Sequence, residues 1–160
     1  MSNRDEPLDE AAETLCRKLG YTFADTGLLF DALTHTSFRN ERPDVAAADN
    51  ERLEFLGDAV VGLVVASLLY VRFPDSDEGE LTRRRADLVS ERGLAECAES
   101  IGMGEALRLG KGEEKSGGRQ KPRLLSSALE ACIGAVYLDG GAEAAFESAR
   151  RIFEPRIDTS

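Results

Sequence analysis

The chain has 160 residues, 20 Lys and Arg against 30 Asp and Glu, a net charge of -10, 42% hydrophobic residues and no Trp. That length suits one soluble domain with a real core, and its abundant Leu, Ala and Val argue against a disordered chain. The acid excess argues against coating nucleic acid by bulk charge alone, yet it leaves room for an acidic site that recruits cations.

From the N-terminus, Leu8, Ala12, Leu15 and Leu19 recur at helical spacing between Pro7 and Gly20, which predicts a helix over about 8–19. Leu29, Ala32 and Leu33 share a face in a second helix over about 26–35, and the polar stretch 39–49 with Pro43 reads as a loop. From Asn50 to Phe73, Leu53, Leu56, Val60, Leu63, Val64 and Leu68 predict a long central helix. Asp77 and Ser90 are cap residues for two further helices. Residues 109–118, rich in Gly and Lys and without period, read as a mobile surface loop. Leu125, Leu129, Cys132, Ile133 and Val136 mark a long helix ending near Gly140, and Ala145, Phe146, Ala149, Ile152 and Phe153 mark a last one ending before Pro155. No strand pattern competes, so the expected fold class is all-α.

No apolar run approaches the roughly 18 residues of a membrane span, and residues 1–13 are acidic where a signal peptide is basic and then apolar. A cytoplasmic protein without membrane contact is expected. Cys16, Cys97 and Cys132 are odd in number and far apart, so they read as small core residues and not as a disulfide framework or zinc site.

Glu51, Glu54 and Asp58 stand three and then four residues apart, so one face of the central helix carries three carboxylates. Like charges at these spacings disfavour a helix slightly, and the same helix turns apolar one turn later. Glu130 lies among Ala128, Leu129, Ala131 and Cys132 of the later long helix, an unusual place for a carboxylate. Oxygen ligands from two helices, without His or Cys, suit Mg²⁺, with Mn²⁺ as substitute, and such ions serve phosphoryl transfer. By spacing alone the three acids of the central helix are better read as a solvated face paired with Arg52 or with basic residues elsewhere, since acidic helix faces are common.

The surrounding sequence changes it. Asn50-Glu51-Arg52-Leu53-Glu54-Phe55-Leu56-Gly57-Asp58 closely resembles the signature of the ribonuclease III family. Ala32-Leu33-Thr34-His35-Thr36-Ser37, Asp77-Glu78-Gly79-Glu80-Leu81, Leu109-Gly110-Lys111-Gly112-Glu113 and Gly134-Ala135-Val136-Tyr137-Leu138-Asp139 resemble further blocks of that family, in its order. The resemblance implies a ribonuclease III-type helical endonuclease domain over 1–160, with a core of about 8–157 and no double-stranded RNA-binding domain in the chain. It implies a homodimer that cuts double-stranded RNA with divalent metal, leaving 5′-phosphate and 3′-hydroxyl ends, as in processing of rRNA and mRNA precursors. Carried over by position, Glu54, Asp58 and Glu130 are metal ligands, Glu51 belongs to the catalytic set, and Glu78 supports it. Phe55 matches the aromatic that the family inserts into the partner subunit; by itself it could equally be a core residue of its own subunit. Ser127 stands where the family has Asp one turn before Glu130, which leaves a weak or water-mediated ligand without charge. The alternative to an active nuclease is a weak or inactive member that serves as an RNA-binding or ribosome-associated scaffold, and Ser127 alone favours it.

Basic residues gather around the glycine-rich segment, among them Lys111, Lys115, Arg119 and Lys121, and are expected to bind RNA phosphates. With little aromatic interleaving, a duplex read by shape and backbone fits better than unpaired bases. His35, the one histidine, reads as a hydrogen-bonded structural residue.

Overall fold

The computed structural model describes residues 6–159; the first five residues and Ser160, which the domain expectation takes in, lie outside the described residues. Ten α-helices follow one another among the described residues. They are α1 (Glu10–Leu19), α2 (Thr26–Leu33), α3 (Thr36–Glu41), α4 (Glu51–Arg72), α5 (Glu78–Leu88), α6 (Glu91–Ser100), α7 (Met103–Ala106), α8 (Lys111–Lys115), α9 (Pro122–Gly140) and α10 (Ala142–Asp158), with a 3₁₀ turn at Gly118–Gln120. The fold is all-α, as the periodicity predicts; the only strand-like pairing among the described residues is an isolated bridge between Thr34 and Arg108.

Local chemistry explains most helix starts. Asp9, Asp25, Asp77 and Ser90 each accept a backbone N–H of the first turn, satisfying donors that have no partner inside the helix. Gly20, at φ 66°, ends α1 in the left-handed conformation that a side chain disfavours. Pro122 opens α9, where its missing N–H costs nothing.

α9 is the axis of the molecule. Leu125, Leu129, Cys132, Ile133 and Val136 are fully buried, and α2, α4, α6 and α10 all pack against it. α4 and α9 form the most extensive helix pair. α4 also has the length and average composition of a membrane span, although Asp58 interrupts its apolar run. Here it is a central helix that buries Leu53, Val61, Val64, Val65 and Leu69. Cys97 and Cys132 are buried and Cys16 is half-buried, all as free thiols.

Four expectations are corrected. α2 stops at Leu33, because Thr34 turns extended and the chain pairs with Arg108: Arg108 N–H donates to Leu33 O at 2.8 Å and His35 N–H to Arg108 O at 3.0 Å. His35 then caps α3, so the 39–49 loop begins inside a helix; its Nδ1 accepts from Ser37 N–H at 3.2 Å, the structural role expected of it. The segment 109–118 contains α8 and is clamped to α3, with Gly110 N–H donating to Ser37 Oγ at 2.9 Å and Lys111 N–H to Glu41 Oε2. Finally, α10 runs on through Pro155 to Asp158. The proline removes one helical donor, but Ile157 beyond it is buried in the same core as Ile152 and Phe153, and tertiary packing outweighs the lost bond.

Candidate active site

Asn50 is buried at the head of α4, and its N–H donates to Thr34 O at 2.9 Å, which ties the helix start to the end of α2. Glu51 and Glu54 occupy the first turn, where negative charge favours the helix dipole. Asp58 follows one turn later. The positions three and seven residues beyond Asp58 are Val61 and Val65, both buried. The acidic row therefore leads toward the core row, with Glu51 and Asp58 exposed and Glu54 partly buried at its edge.

α9 supplies the other half. Glu130 is 8% exposed, between Leu129 and Ala131, which are fully buried. Its carboxyl is pushed up to about 8, first by burial, then by a hydrogen bond with Asp58 and by repulsion from the Asp58 and Glu54 charges. Two helices thus bring Glu54, Asp58 and Glu130 into one interacting set. Among the described residues no three Asp, Glu, His or Cys side chains are gathered at metal-ligand spacing, and repulsion between like charges opposes a tighter gathering. The donor chemistry still fits a hard divalent cation: oxygens alone, with one desolvated carboxyl whose ionisation a cation would favour.

Ser127, one turn before Glu130, is half-buried. Its neighbour Ser126 spends its hydroxyl on Arg123 O at 3.0 Å, whereas Ser127 Oγ has no hydrogen bond among the described residues. Glu51 is exposed and Glu78 opens α5, the helix that follows the far end of α4. From Asp58 to Arg72 the helix rises about 21 Å, and Glu78 is not among the groups acting on Glu130. Within one protomer, Glu78 is not brought into the set.

Phe55 is 84% exposed, so it is no part of its own core. It heads a row of exposed apolar side chains along α4, with Leu63 and Tyr70, beside Leu138 of α9. A hollow of about 1050 Å³ opens next to it, lined by Leu28, Ala47, Leu56 and Leu138 and rimmed by the Arg39–Asp49 ion pair at 3.2 Å. Sequence reasoning missed this hollow, since its walls come from α2, the 42–50 loop, α4 and α9.

The basic residues divide. Lys111 and Lys115 on α8 are exposed. Arg119 is committed elsewhere: its guanidinium donates to Gly104 O at 2.9 Å and Leu107 O at 2.7 Å and pairs with Glu114 at 2.8 Å. Lys121 pairs with Glu113 at 2.7 Å and donates to Ser116 Oγ. In the protomer both tie α8 and the 3₁₀ turn to neighbouring segments, so their charges are already paired with Glu114 and Glu113. Arg108 lies over the Phe30 and Phe38 rings, at 5.2 and 4.6 Å, and Arg84 over Phe73 at 4.0 Å while pairing with Glu80.

The family model for Ribonuclease-III-like proteins matches residues 25–156. Ribonuclease 3 of Syntrophotalea carbinolica is 51% identical over 145 residues, covering 91% of this chain and 61% of the relative. Ribonuclease 3 of Syntrophobacter fumaroxidans is 48% identical over 145 residues, with 91% and 60% covered. The chain spans about three-fifths of the length of these curated relatives. Among solved structures, the nuclease domain of ribonuclease III from Campylobacter jejuni, described as flexible in a region involved in dimer formation, superposes with a TM-score of 0.82. It is 44% identical, and 91% of this chain and 98% of that one are covered. Dicer from Pichia stipitis, at 23% identity and a TM-score of 0.63 over 87% of this chain and 59% of its own, shares the fold. On the match across 25–156 and on relatives near 50% identity, this chain belongs to the ribonuclease III family.

Proposed function

We propose that the chain is the nuclease domain of a divalent-metal-dependent endoribonuclease that hydrolyses double-stranded RNA as a homodimer. The reading extends to 5′-phosphate and 3′-hydroxyl product ends, to precursor rRNA and mRNA as substrates, and to a cytoplasmic location, in keeping with three free cysteines. The observation that carries it is the buried Glu130 carboxyl, coupled across two helices to Asp58 and Glu54. Glu130, Asp58 and Glu54 would hold Mg²⁺ or Mn²⁺, with Ser127 as an uncharged or water-mediated contributor. When bound, the ion supplies positive charge against the scissile phosphate and its attacking oxygen.

The remaining work falls to the chain itself. Glu130 gives up its proton as a cation arrives, so binding is coupled to pH below about 8. Glu51 keeps the mouth of the site negative. Glu78 supports the site only if a second protomer presents it, which agrees with a dimeric enzyme. The decisive experiment is cleavage of a labelled RNA duplex with Mg²⁺, Mn²⁺ or EDTA. Cleavage with either metal and none in EDTA is expected; no cleavage with any metal would leave the scaffold reading.

Lys111 and Lys115 on α8 are exposed, make no ion pair among the described residues, and are assigned to RNA phosphates. Removing both should weaken duplex binding uniformly across sequences and flatten the salt dependence by about one per lost contact. Arg119→Ala should instead lower the thermal midpoint through loss of its carbonyl contacts. Filter binding at several salt concentrations, beside thermal unfolding, separates these outcomes; an unchanged slope in the Lys111→Ala/Lys115→Ala protein contradicts the assignment.

Ser127→Asp places a carboxylate one turn before Glu130. It should lower the Mg²⁺ concentration for half-maximal cleavage and cost stability in the metal-free protein through added repulsion. Mg²⁺ should then raise the thermal midpoint more in the variant than in the wild type. If both quantities stay unchanged, Ser127 does not face the ion.

A further inference from the structure

Helices usually pack with axes 8–10 Å apart, held off by their side chains. At the acidic set, α4 and α9 meet main chain to main chain. A Cβ added to Gly57 would stand 1.6 Å from Glu130 O and 3.1 Å from Glu130 Cα. A Cβ added to Gly134 would stand 2.5 Å from Leu53 O and 3.1 Å from Gly57 N. Each glycine therefore faces the other helix at the crossing. Gly57 lies between Glu54 and Asp58 in sequence, and Gly134 lies one turn beyond Glu130. The crossing point and the carboxylates share the same turns.

We propose that Gly57 and Gly134 are positioning residues: their missing side chains fix the separation of the two backbones that carry Asp58 and Glu130, and with it the metal affinity of the site. The inference rests on the proposed metal site and goes beyond it by assigning the spacing to two residues that bear no functional group. At Gly134 an added methyl must move from 2.5 Å to the 3.4 Å where ordinary contact begins, a displacement of about 0.9 Å. Mg²⁺ holds its oxygens near 2.0–2.1 Å in nearly octahedral geometry, and ligand distances tolerate roughly 0.2 Å. A shift of about 0.9 Å in one helix exceeds that tolerance several-fold.

Other glycines are as tightly packed, so tightness alone assigns nothing. Gly104 would bring a Cβ to 2.5 Å from Arg119 O, in a part of the fold without acids of the set. It provides the control.

The test is Mn²⁺ binding to the RNA-free dimer, followed by the electron paramagnetic resonance signal of the free ion, beside thermal unfolding. Gly104→Ala and Gly134→Ala should both lose thermal stability, but only Gly134→Ala should weaken Mn²⁺ binding, by tenfold or more. Folded Gly134→Ala with wild-type Mn²⁺ affinity overturns the proposal. Should Gly134→Ala not fold, Asp58→Glu tests the same spacing without touching the crossing. A rigid separation makes one extra methylene cost at least tenfold in Mn²⁺ affinity, and a change under threefold shows a site that adjusts its own spacing and overturns the proposal. Glu130→Gln separates the two levels of the argument. If it too binds Mn²⁺ like the wild type, the metal site itself is wrong; if it loses the ion while Gly134→Ala keeps it, only the positioning role fails.

Discussion

Glu130→Gln abolishes cleavage and at the same time makes the metal-free protein more stable at pH 8 and above. The two effects have one cause. In the folded protein the Glu130 carboxyl is held up to about 8, chiefly by burial, whereas in the unfolded chain it ionises near its ordinary 4.5. Between those values the folded state keeps a proton that the unfolded state has released, so stability falls as pH rises through this window and levels off above it. Glutamine is neutral at every pH and can donate its amide to Asp58, so the variant escapes the loss, on the order of a few kcal/mol. Thermal midpoints of both proteins from pH 5 to 9 in EDTA should converge at the acid end and separate toward the basic end. Added Mg²⁺ should raise the midpoint of the wild type more than that of the variant, because the ion compensates the buried charge that only the wild type carries. Duplex binding should survive, since the proposed phosphate contacts, Lys111 and Lys115, lie on α8. Normal turnover in Glu130→Gln would remove Glu130 from the metal set.

Phe55→Ala shifts the protein from dimer toward monomer by about 30-fold or more in dissociation constant, the usual cost of about 2 kcal/mol for truncating a buried aromatic anchor. The residue is 84% exposed in the protomer, so its truncation should leave the intrinsic stability of the monomer nearly unchanged. That combination distinguishes an anchor from a core residue, whose loss would lower the thermal midpoint first. Phe55, Leu63 and Tyr70 form an exposed apolar row along α4, of the kind that marks an interaction surface, and the hollow beside Phe55 offers an apolar seat bounded by Leu28 and Leu138. Sedimentation at low micromolar concentration is the measurement; an unchanged dimer would show that the interface lies elsewhere. Because Glu78 is separated from the acidic set within one protomer, the dissociated variant should also lose cleavage at concentrations where the wild type is still paired.

The residues by themselves determined whatever depends on neighbours within a turn or two. Asp77 and Ser90 announced helix starts because a short polar side chain reaches the free N–H groups of its own first turn; Asp9 and Asp25 cap α1 and α2 in the same way, which the apolar spacing alone did not show. The apolar stripes announced α4, α9 and α10, and the spacing of Glu51, Glu54 and Asp58 announced an acidic face, because 3.6 residues per turn fix which side chains share a side. Tertiary structure decided the rest. Asp58 and Glu130 are 72 positions apart, and only the packing of α4 on α9 makes them one interacting pair. The same packing chose which flank of α4 is buried, and so turned Phe55 outward when its sequence allowed either side. Arg119 and Lys121 looked like free cations because composition records charge and not partners; the folded segment supplied Glu114, Glu113 and the carbonyls that occupy them. The 109–118 segment has no period of its own, so its order comes from Ser37 and Glu41, some seventy residues away, through hydrogen bonds that no local pattern encodes.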